Sequence, residues 1–168
     1  MKTKIWIVVD LDGTVADCSH RLKYIINQET GEKLRGKLRN YKRFYDEIPN
    51  DSPMPMNIDL VKRFAELNGA SIVFVTGRPE NTRIDSLNWI AKHFGLPIGE
   101  IEIIMRREDD YRPDFEAKPE LLREAIDMYG STPLAAFEDR PKVVEAWRTI
   151  LGTSKVYRVV QDGELTLL

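Results

Sequence analysis

The segment from Lys4 to Thr14 (KIWIVVDLDGT) constrains the fold of this chain more than any other part of its sequence. An apolar run rich in β-branched residues leads directly into Asp10 and Asp12, and a glycine follows. A short run that is apolar on both faces is typical of a buried strand in a parallel sheet. Because open α/β sheets bind their ligands at the carboxyl ends of their strands, the two aspartates are predicted to mark a functional site. The alternative is a strand end with two solvated acids.

The overall composition favours no special class of protein. A chain of 168 residues is most simply one domain, and its formal net charge of −2 indicates no particular class of partner. Cys18 is the only cysteine, so no intrachain disulfide can form and a reducing compartment is expected. The sequence has no signal-peptide pattern and no stretch that approaches the length of a membrane span. We therefore expect a soluble, cytoplasmic protein without a membrane partner, and the sequence favours no oligomeric state.

Strand-like and helix-like segments alternate along most of the chain. The strand-like runs lie at 4–10, 71–76, 101–105, 134–138 and 155–160. The helix-like segments lie at 57–68, 80–94, 119–129 and 141–150. Prolines are expected in the first turns of three of these helices, at Pro79, Pro119 and Pro141. Such alternation predicts an α/β fold with a Rossmann-like, doubly wound parallel sheet.

The exception is the stretch 15–56, which has no strong strand and is too long for a simple connection. We interpret it as a small cap or flap inserted after the first strand, within a single domain that spans residues 1–168. Basic residues are concentrated in it, at Arg21, Lys23, Lys33, Arg35, Lys37, Arg39, Lys42 and Arg43. Aromatic residues are interleaved with them, at Tyr24, Tyr41, Phe44 and Tyr45. Cations with aromatics suit single-stranded nucleic acid, and a solvated cap surface is the alternative.

Polar residues also follow the second strand-like run, which ends in Thr76, Gly77 and Arg78. A hydroxyl and a closely approaching backbone N–H suit phosphate oxygens, and Arg78 can add a charged fork. Lys118 stands before Pro119 near a predicted helix start, where an ammonium group can meet an anion. Each signal has an ordinary alternative, a plain turn for the first and a solvated lysine for the second.

A second pair of acids, Glu138 and Asp139, follows the run 134–137. If their strand is a neighbour of the first one, they converge with Asp10 and Asp12. Such an all-oxygen cluster suits Mg²⁺ rather than zinc. The alternative is an acidic pair that stabilises the start of the next helix.

These four signals together resemble the motifs of the haloacid dehalogenase (HAD) superfamily, in its phosphatase branch. They are DLDGT at 10–14, TGR at 76–78, Lys118, and the acids at 138–139. Within that superfamily, FEDRPKVVEAWR at 137–148 is similar to the phosphatase module of phage-type polynucleotide kinase/phosphatase. The stretch from Met105 to Lys118 resembles the segment before that module's lysine, and DCSHRL at 17–22 resembles small phage phosphatases of the same group.

The resemblance implies a role for each of these residues. Asp10 would be the nucleophile that forms an aspartyl-phosphate, and Asp12 the acid and base, oriented by Thr14. Phosphate oxygens would be held by Thr76, the Gly77 N–H and Lys118. Mg²⁺ would be held by Asp10, the backbone carbonyl of Asp12, and Asp139, with Glu138 acting through a water. Further substrate contacts are expected from Arg78, Arg140, His20 and Arg21, and a purely structural role is the alternative for His20.

Three functions remain open from the sequence. A polynucleotide 3′-phosphatase is favoured by the phage-type resemblance and by the basic insertion. A phosphatase of mononucleotides or other small phosphate esters is the second reading. The third is a phosphate- or nucleic-acid-binding domain that has lost catalysis, although every expected carboxylate is present. The sequence contains no nucleotide-binding P-loop motif that would indicate a kinase half.

Overall fold

The computed structural model describes residues 4–167. Its strands are β1 (Trp6–Val9), β2 (Ala16–Asp17), β3 (Ser52–Pro53), β4 (Ser71–Pro79), β5 (Glu102–Arg106), β6 (Ala136–Glu138), β7 (Val156–Gln161) and β8 (Glu164–Thr166). Its α-helices are α1 (Tyr41–Asp46), α2 (Pro55–Leu67), α3 (Arg83–Phe94), α4 (Asp114–Tyr129) and α5 (Pro141–Leu151). No helix in this described part of the chain is long and apolar enough to cross a membrane.

Six strands form one sheet in the order β5–β4–β1–β6–β7–β8. The first five are parallel, and β8 is an antiparallel edge strand that returns from β7. β1 lies in the centre, where Val9 is in register with Phe74 of β4 and with Phe137 of β6. The predicted doubly wound α/β fold is thereby confirmed. Because β4, β1 and β6 are neighbours, their carboxyl ends form one edge.

The two faces of the sheet carry separate cores. Alternate side chains of β1 point to opposite faces, so that Ile7 packs with residues of α2 and α3, whereas Trp6 packs with α4 and α5. Trp147 of α5 is fully buried in the second core. A strand apolar on both faces was the basis of the prediction, and helices cover both of its faces.

Two of the expected helix starts differ in the structure. Pro141 does begin α5, but Pro79 is the last residue of β4, and Pro119 lies inside α4, which begins five residues earlier at Asp114. Pro119 has no N–H to donate to the Phe115 carbonyl, so the helix lacks one hydrogen bond there. The earlier start places Lys118 in the second turn of α4.

The stretch 15–56 leaves the core after β1 and returns at the start of α2. Its two ends pair as the short antiparallel strands β2 and β3, and the Met54 N–H donates to the Val15 carbonyl at 2.8 Å. Between them lie 3-10 turns and α1, whose Phe44 is buried. Short elements joined by turns agree with the absence of a strong strand signal in the sequence.

Candidate active site

Four of the predicted site residues meet at the carboxyl edge of the sheet. Asp10 directly follows β1, Thr76 lies in β4 and Glu138 ends β6, so the strand order puts them side by side. Lys118 reaches this edge from α4, with its Nζ 2.8 Å from Asp10 Oδ1 and 2.8 Å from Glu138 Oε2. All four residues are almost completely buried. One ammonium group is thus set between carboxylates from neighbouring strands.

Asp10, Glu138 and Asp139 form a compact carboxylate cluster, with one oxygen of each within 4.8 Å of the others. Burial and the charge of Glu138 raise the pKa of Asp10 to about 7, against the opposing effect of Lys118. Burial also raises the pKa of Glu138 to about 7 and raises that of Asp139. Asp139 Oδ1 is buried without a hydrogen-bond partner among residues 4–167. Clustered carboxylate oxygens are the ligands that a hard divalent cation prefers, and so the cluster fits the Mg²⁺ expected from the sequence.

The turn after β1 brings the chain against this cluster at Gly13. Gly13 has a φ of +81°, and a Cβ there would lie 2.7 Å from Asp139 Cγ. Both the backbone conformation and the close approach of the carboxylate therefore require glycine. The Thr14 hydroxyl lies 3.4 Å from Asp10 Oδ2, which corrects the expectation that it orients Asp12.

Asp12 points away from the carboxylate cluster into a buried network of ions. Arg21 Nη2 and Arg78 Nη2 each donate to Asp12 Oδ1 at 2.6 Å. The same two guanidinium groups donate to Asp51, Arg21 at 2.7 and 2.9 Å and Arg78 at 2.8 Å. Burial alone would raise the pKa of Asp12, but the Arg78 and Arg21 charges hold that pKa well below its usual range. Two aspartates and two arginines thus neutralise one another.

Three residues expected to contact substrate are engaged in this network instead. The Arg21 and Arg78 side chains are fully buried, and both form ion pairs with Asp12 and Asp51. His20 Nδ1 lies 3.9 Å from Asp51 Oδ1, at the edge of the network. Asp51 was not predicted from the sequence, because it lies alone in an irregular segment with no motif around it.

A cavity of about 1090 Å³ lies between the insertion and the carboxyl edge of the sheet. Its core side includes Asp10, Asp12, Thr76, Gly77, Lys118 and Arg140. Its insertion side includes Cys18, Lys33, Arg39, Tyr41, Lys42 and Tyr45. Burial raises the pKa of the Cys18 thiol to about 12, so this cysteine is a poor nucleophile. The cavity opens onto Asp10 and is larger than a phosphate group alone requires.

Comparison with known proteins identifies the family. The family model of the polynucleotide kinase PNKP phosphatase domain matches residues 36–163. The chain belongs to this family of HAD-type phosphatases. It is also 30% identical over 156 residues to a protein of Autographa californica nuclear polyhedrosis virus that is described as a bifunctional polynucleotide kinase/RNA ligase. That alignment covers 93% of this chain but 19% of the viral protein.

Solved structures of other phosphatases share the fold. A chain of the Pnkp1/Rnl/Hen1 RNA repair complex aligns with a TM-score of 0.68 at 23% identity, over 95% of this chain and 43% of that one. The class C acid phosphatase from Bacillus anthracis aligns with a TM-score of 0.63 at 18% identity, over 98% of this chain and 69% of the other. The chain thus spans less than half the length of the viral protein and of the matched chain of the RNA repair complex.

One further ionic group of this phosphatase domain lies beside Gly77. Asp114, the first residue of α4, forms ion pairs with both Arg106 and Arg140. A Cβ on Gly77 would lie 2.8 Å from Asp114 Oδ1, so glycine leaves room for that carboxylate. Arg140, which was expected to contact substrate, lines the cavity and is paired with Asp114. Asp114 and Arg106 lie in the stretch from Met105 to Lys118 that resembles the segment before the lysine of the phage-type module, but the sequence assigned no role to either residue.

Proposed function

We propose that this chain is a Mg²⁺-dependent phosphomonoesterase that removes a terminal 3′-phosphate from nucleic acid through an aspartyl-phosphate on Asp10. We further propose that residues 1–168 act as one domain and that the stretch 15–56 serves as its cap. The observation that carries the proposal is the position of Asp10. Its carboxylate borders the cavity beside Lys118, with the acid cluster on the same strand edge.

The first half of the reaction transfers the phosphoryl group to the protein. A carboxylate oxygen of Asp10 attacks phosphorus in line, the new O–P bond forms, and the bond from phosphorus to the leaving oxygen breaks. Asp12 donates a proton to that oxygen, which leaves as a hydroxyl group. Asp12 is ionised at rest, but a bound phosphate dianion adds negative charge beside it and thereby raises its affinity for a proton.

The second half regenerates the carboxylate. Asp12, now ionised, takes a proton from a water molecule whose oxygen attacks phosphorus, and the bond between phosphorus and Asp10 breaks. Inorganic phosphate leaves, and Asp12 releases the proton to water, from which it takes one up again when the next phosphate binds. Arg21 and Arg78 stabilise the ionised form of Asp12, so they favour the release of its proton to the leaving oxygen in the first half. Charge on the equatorial phosphate oxygens would be met by Thr76, the Gly77 N–H and Lys118.

The metal ion would be held by residues of the acid cluster. Asp10, Asp139 and the backbone carbonyl of Asp12 are the proposed ligands, and Glu138 would act through a water. When bound, Mg²⁺ supplies positive charge that neutralises the phosphate oxygens and the clustered carboxylates. The buried, unpartnered Asp139 Oδ1 and the raised pKa values of Asp10 and Glu138 support such a ligand set.

A nucleic-acid end is the substrate that the family and the cavity together favour. The matching family model is that of a polynucleotide kinase phosphatase domain. The cavity is large for a site that binds only a small phosphate ester, and the insertion contributes basic and aromatic side chains to it. Such a surface suits a strand that continues beyond the reacting phosphate.

The decisive experiment measures phosphate release from a 3′-phosphorylated oligonucleotide and from the matching mononucleotides at equal concentration, with Mg²⁺ and with EDTA. We expect Mg²⁺-dependent release and a strong preference for the oligonucleotide. Asp10→Asn should abolish turnover, whereas Asp85→Asn, which removes another carboxylate of the same cavity, should not. Preference for mononucleotides would identify a nucleotidase, and turnover by Asp10→Asn would disprove the mechanism.

A further inference from the structure

The basic residues of the cavity divide into two groups by their partners. Most of them already face a carboxylate: Lys42 pairs with Asp46, Arg106 and Arg140 pair with Asp114, Arg112 pairs with Glu120, and Lys118 pairs with Asp10. Three others, Lys33, Arg39 and Lys142, line the cavity without any ion pair to a residue of the described chain 4–167. These three charges are available to an anionic ligand.

Two of the available cations lie over aromatic rings that also line the cavity. The Arg39 guanidinium carbon is 5.2 Å from the ring centroid of Tyr41, and Lys142 Nζ is 5.1 Å from that of Phe115. Tyr41 belongs to α1 of the insertion, whereas Phe115 belongs to the first turn of α4 on the core side. The structure therefore repeats one arrangement, a cation over a ring, on the two sides of a single cavity.

Both rings are partly exposed to solvent. Tyr41 is 40% exposed and Phe115 is 37% exposed, although large aromatic side chains are usually more deeply buried. The Tyr41 ring stacks on Tyr45 with the centroids 6.1 Å apart and the planes inclined by 19°, which fixes its orientation. A fixed, exposed ring beside an unpaired cation is suited to a nucleobase and its phosphate.

We propose that Tyr41 with Arg39, and Phe115 with Lys142, form a two-sided binding subsite for the nucleotides that precede the reacting phosphate of a single strand. The bases stack on the two rings, and the two cations neutralise backbone phosphates. This inference rests on the proposed nucleic-acid substrate and assigns the residues that select a strand over a mononucleotide. Arg35, Lys37 and Arg39 are all basic residues of the insertion, but of these three only Arg39 lines the cavity.

The test compares kcat/KM on a 3′-phosphorylated single-stranded oligonucleotide with kcat/KM on the matching mononucleotide. Tyr41→Ala and Phe115→Ala should each lower the oligonucleotide value by about 10-fold, through KM, because stacking of a base on a ring contributes about 1–3 kcal/mol. The mononucleotide value should stay within about twofold. Tyr41→Phe and Phe115→Tyr keep a ring and should restore oligonucleotide turnover. Unchanged melting temperatures would exclude misfolding as the cause.

The two cations are tested by the salt dependence of the affinity for the single-stranded oligonucleotide. Arg39→Gln and Lys142→Gln should each reduce the slope of log K against log salt by about 0.7, the value for one contact to a single-stranded phosphate. The control is Arg35→Gln with Lys37→Gln, which removes two exposed charges of the same insertion outside the cavity and should leave the slope unchanged. The subsite would be overturned if the control variant lost as much of the salt slope as Arg39→Gln and Lys142→Gln. It would also be overturned if Tyr41→Ala and Phe115→Ala lowered kcat/KM equally for the oligonucleotide and the mononucleotide.

Binding without turnover separates this inference from the proposed function. Fluorescence anisotropy with a labelled 3′-hydroxyl oligonucleotide, the reaction product, reports strand binding whether or not the chain hydrolyses phosphate esters. If the wild-type chain releases no phosphate but Tyr41→Ala and Phe115→Ala still weaken binding, the proposed activity fails and the subsite stands. If turnover is normal and these variants bind as tightly as the wild type, the subsite fails.

Discussion

Arg78 donates two hydrogen bonds to a single oxygen of Asp12, from Nε at 3.0 Å and from Nη2 at 2.6 Å. A strand neighbouring β1 thereby fixes the direction of the proposed acid–base residue. Arg21 approaches the same oxygen from the insertion, and Asp51, at the return of the insertion, holds both guanidinium groups. Insertion and core thus share one buried ion network, which ties the position of the proposed cap to that of Asp12.

Loss of Arg21 should change both stability and the pH dependence of turnover. In Arg21→Gln, one guanidinium must balance two buried aspartates, so unfolding should become easier by about 3–5 kcal/mol. The pKa of Asp12 should rise, because one of the two charges that lower it is gone. With 4-nitrophenyl phosphate, whose leaving group needs no acid, the acid limb of the pH profile for hydrolysis of the aspartyl-phosphate should then move to higher pH, because Asp10 is esterified in that intermediate and does not titrate.

The control for this variant is Arg63→Gln, which breaks an exposed ion pair with Asp59 on α2. Exposed pairs of this kind contribute about 0.3–0.5 kcal/mol, so stability and the pH profile should hardly change. An acid limb that stays in place in Arg21→Gln, while stability falls, would show that Asp12 is not the titrating base.

Addition of Mg²⁺ should stabilise the chain more at pH 7.5 than at pH 5. The metal-free chain keeps Asp10 and Glu138 protonated up to about pH 7, whereas unfolded carboxylates lose their protons near pH 4. The contribution of this cluster to stability therefore falls as pH rises from about 4 to 7, and protons compete with the metal at pH 5. At 100 times the dissociation constant, Mg²⁺ should add about 2.7 kcal/mol at the higher pH.

Thermal unfolding with Mg²⁺ and with EDTA measures this difference. Asp139→Asn removes one proposed ligand and should reduce the stabilisation by Mg²⁺, whereas Asp109→Asn, in an exposed loop, should not. If Mg²⁺ raised the melting temperature equally at both pH values, the carboxyl groups with raised pKa values would not be its ligands.

The sequence predicted the parts of this molecule that depend on local pattern. The apolar run before Asp10 and the run before Thr76 became adjacent strands. The alternation of strand-like and helix-like segments indicated the parallel sheet, but the order of its strands was not predicted. Three of the predicted site residues lie together because each stands at the carboxyl end of its strand: Asp10, Thr76 and Glu138. Lys118 joins them from the second turn of α4.

Long-range ion pairing could not be predicted in the same way. Asp51 lies 30 residues from Arg21 and 27 from Arg78, and no periodicity links the three positions. An arginine after a strand is equally compatible with a phosphate ligand and with a buried carboxylate. In this structure Asp51 is buried beside Asp12, and the two carboxylates require two cations. Arg21 and Arg78 therefore pair with these carboxylates.

Asn57 should be essential for stability because it joins three segments of the fold. Its buried side-chain amide donates to the Thr14 carbonyl at 2.8 Å, and its side-chain oxygen accepts from the Gly163 N–H at 2.8 Å. Asn57→Asp keeps the size but sets a carboxylate against the Thr14 carbonyl, so we expect a loss of about 2–4 kcal/mol in chemical denaturation. Turnover should also fall, since Thr14 belongs to the turn that follows Asp10.

Asn68→Asp is the matched control, because the Asn68 amide makes a similar bond of 2.8 Å to the Phe64 carbonyl at an exposed position. Its cost should stay below about 1 kcal/mol, since water can replace the lost hydrogen bond. Equal costs at positions 57 and 68 would contradict a joining role for Asn57.

Gly13→Ala should disable the proposed metal site, whereas Gly31→Ala should not. Both glycines have positive φ, +81° and +71°, so alanine costs about 1–2 kcal/mol of backbone strain at either position. Only at Gly13 does the new Cβ meet a neighbour, the Asp139 carboxylate, while Gly31 has open space. We expect Gly13→Ala to lower kcat by about 10²-fold, because a displacement of 1 Å in a catalytic group has an effect of that size. Mg²⁺ should also raise its melting temperature less than that of Gly31→Ala. Equal activity in the two variants, at equal stability, would show that the contact between Gly13 and Asp139 has no part in catalysis.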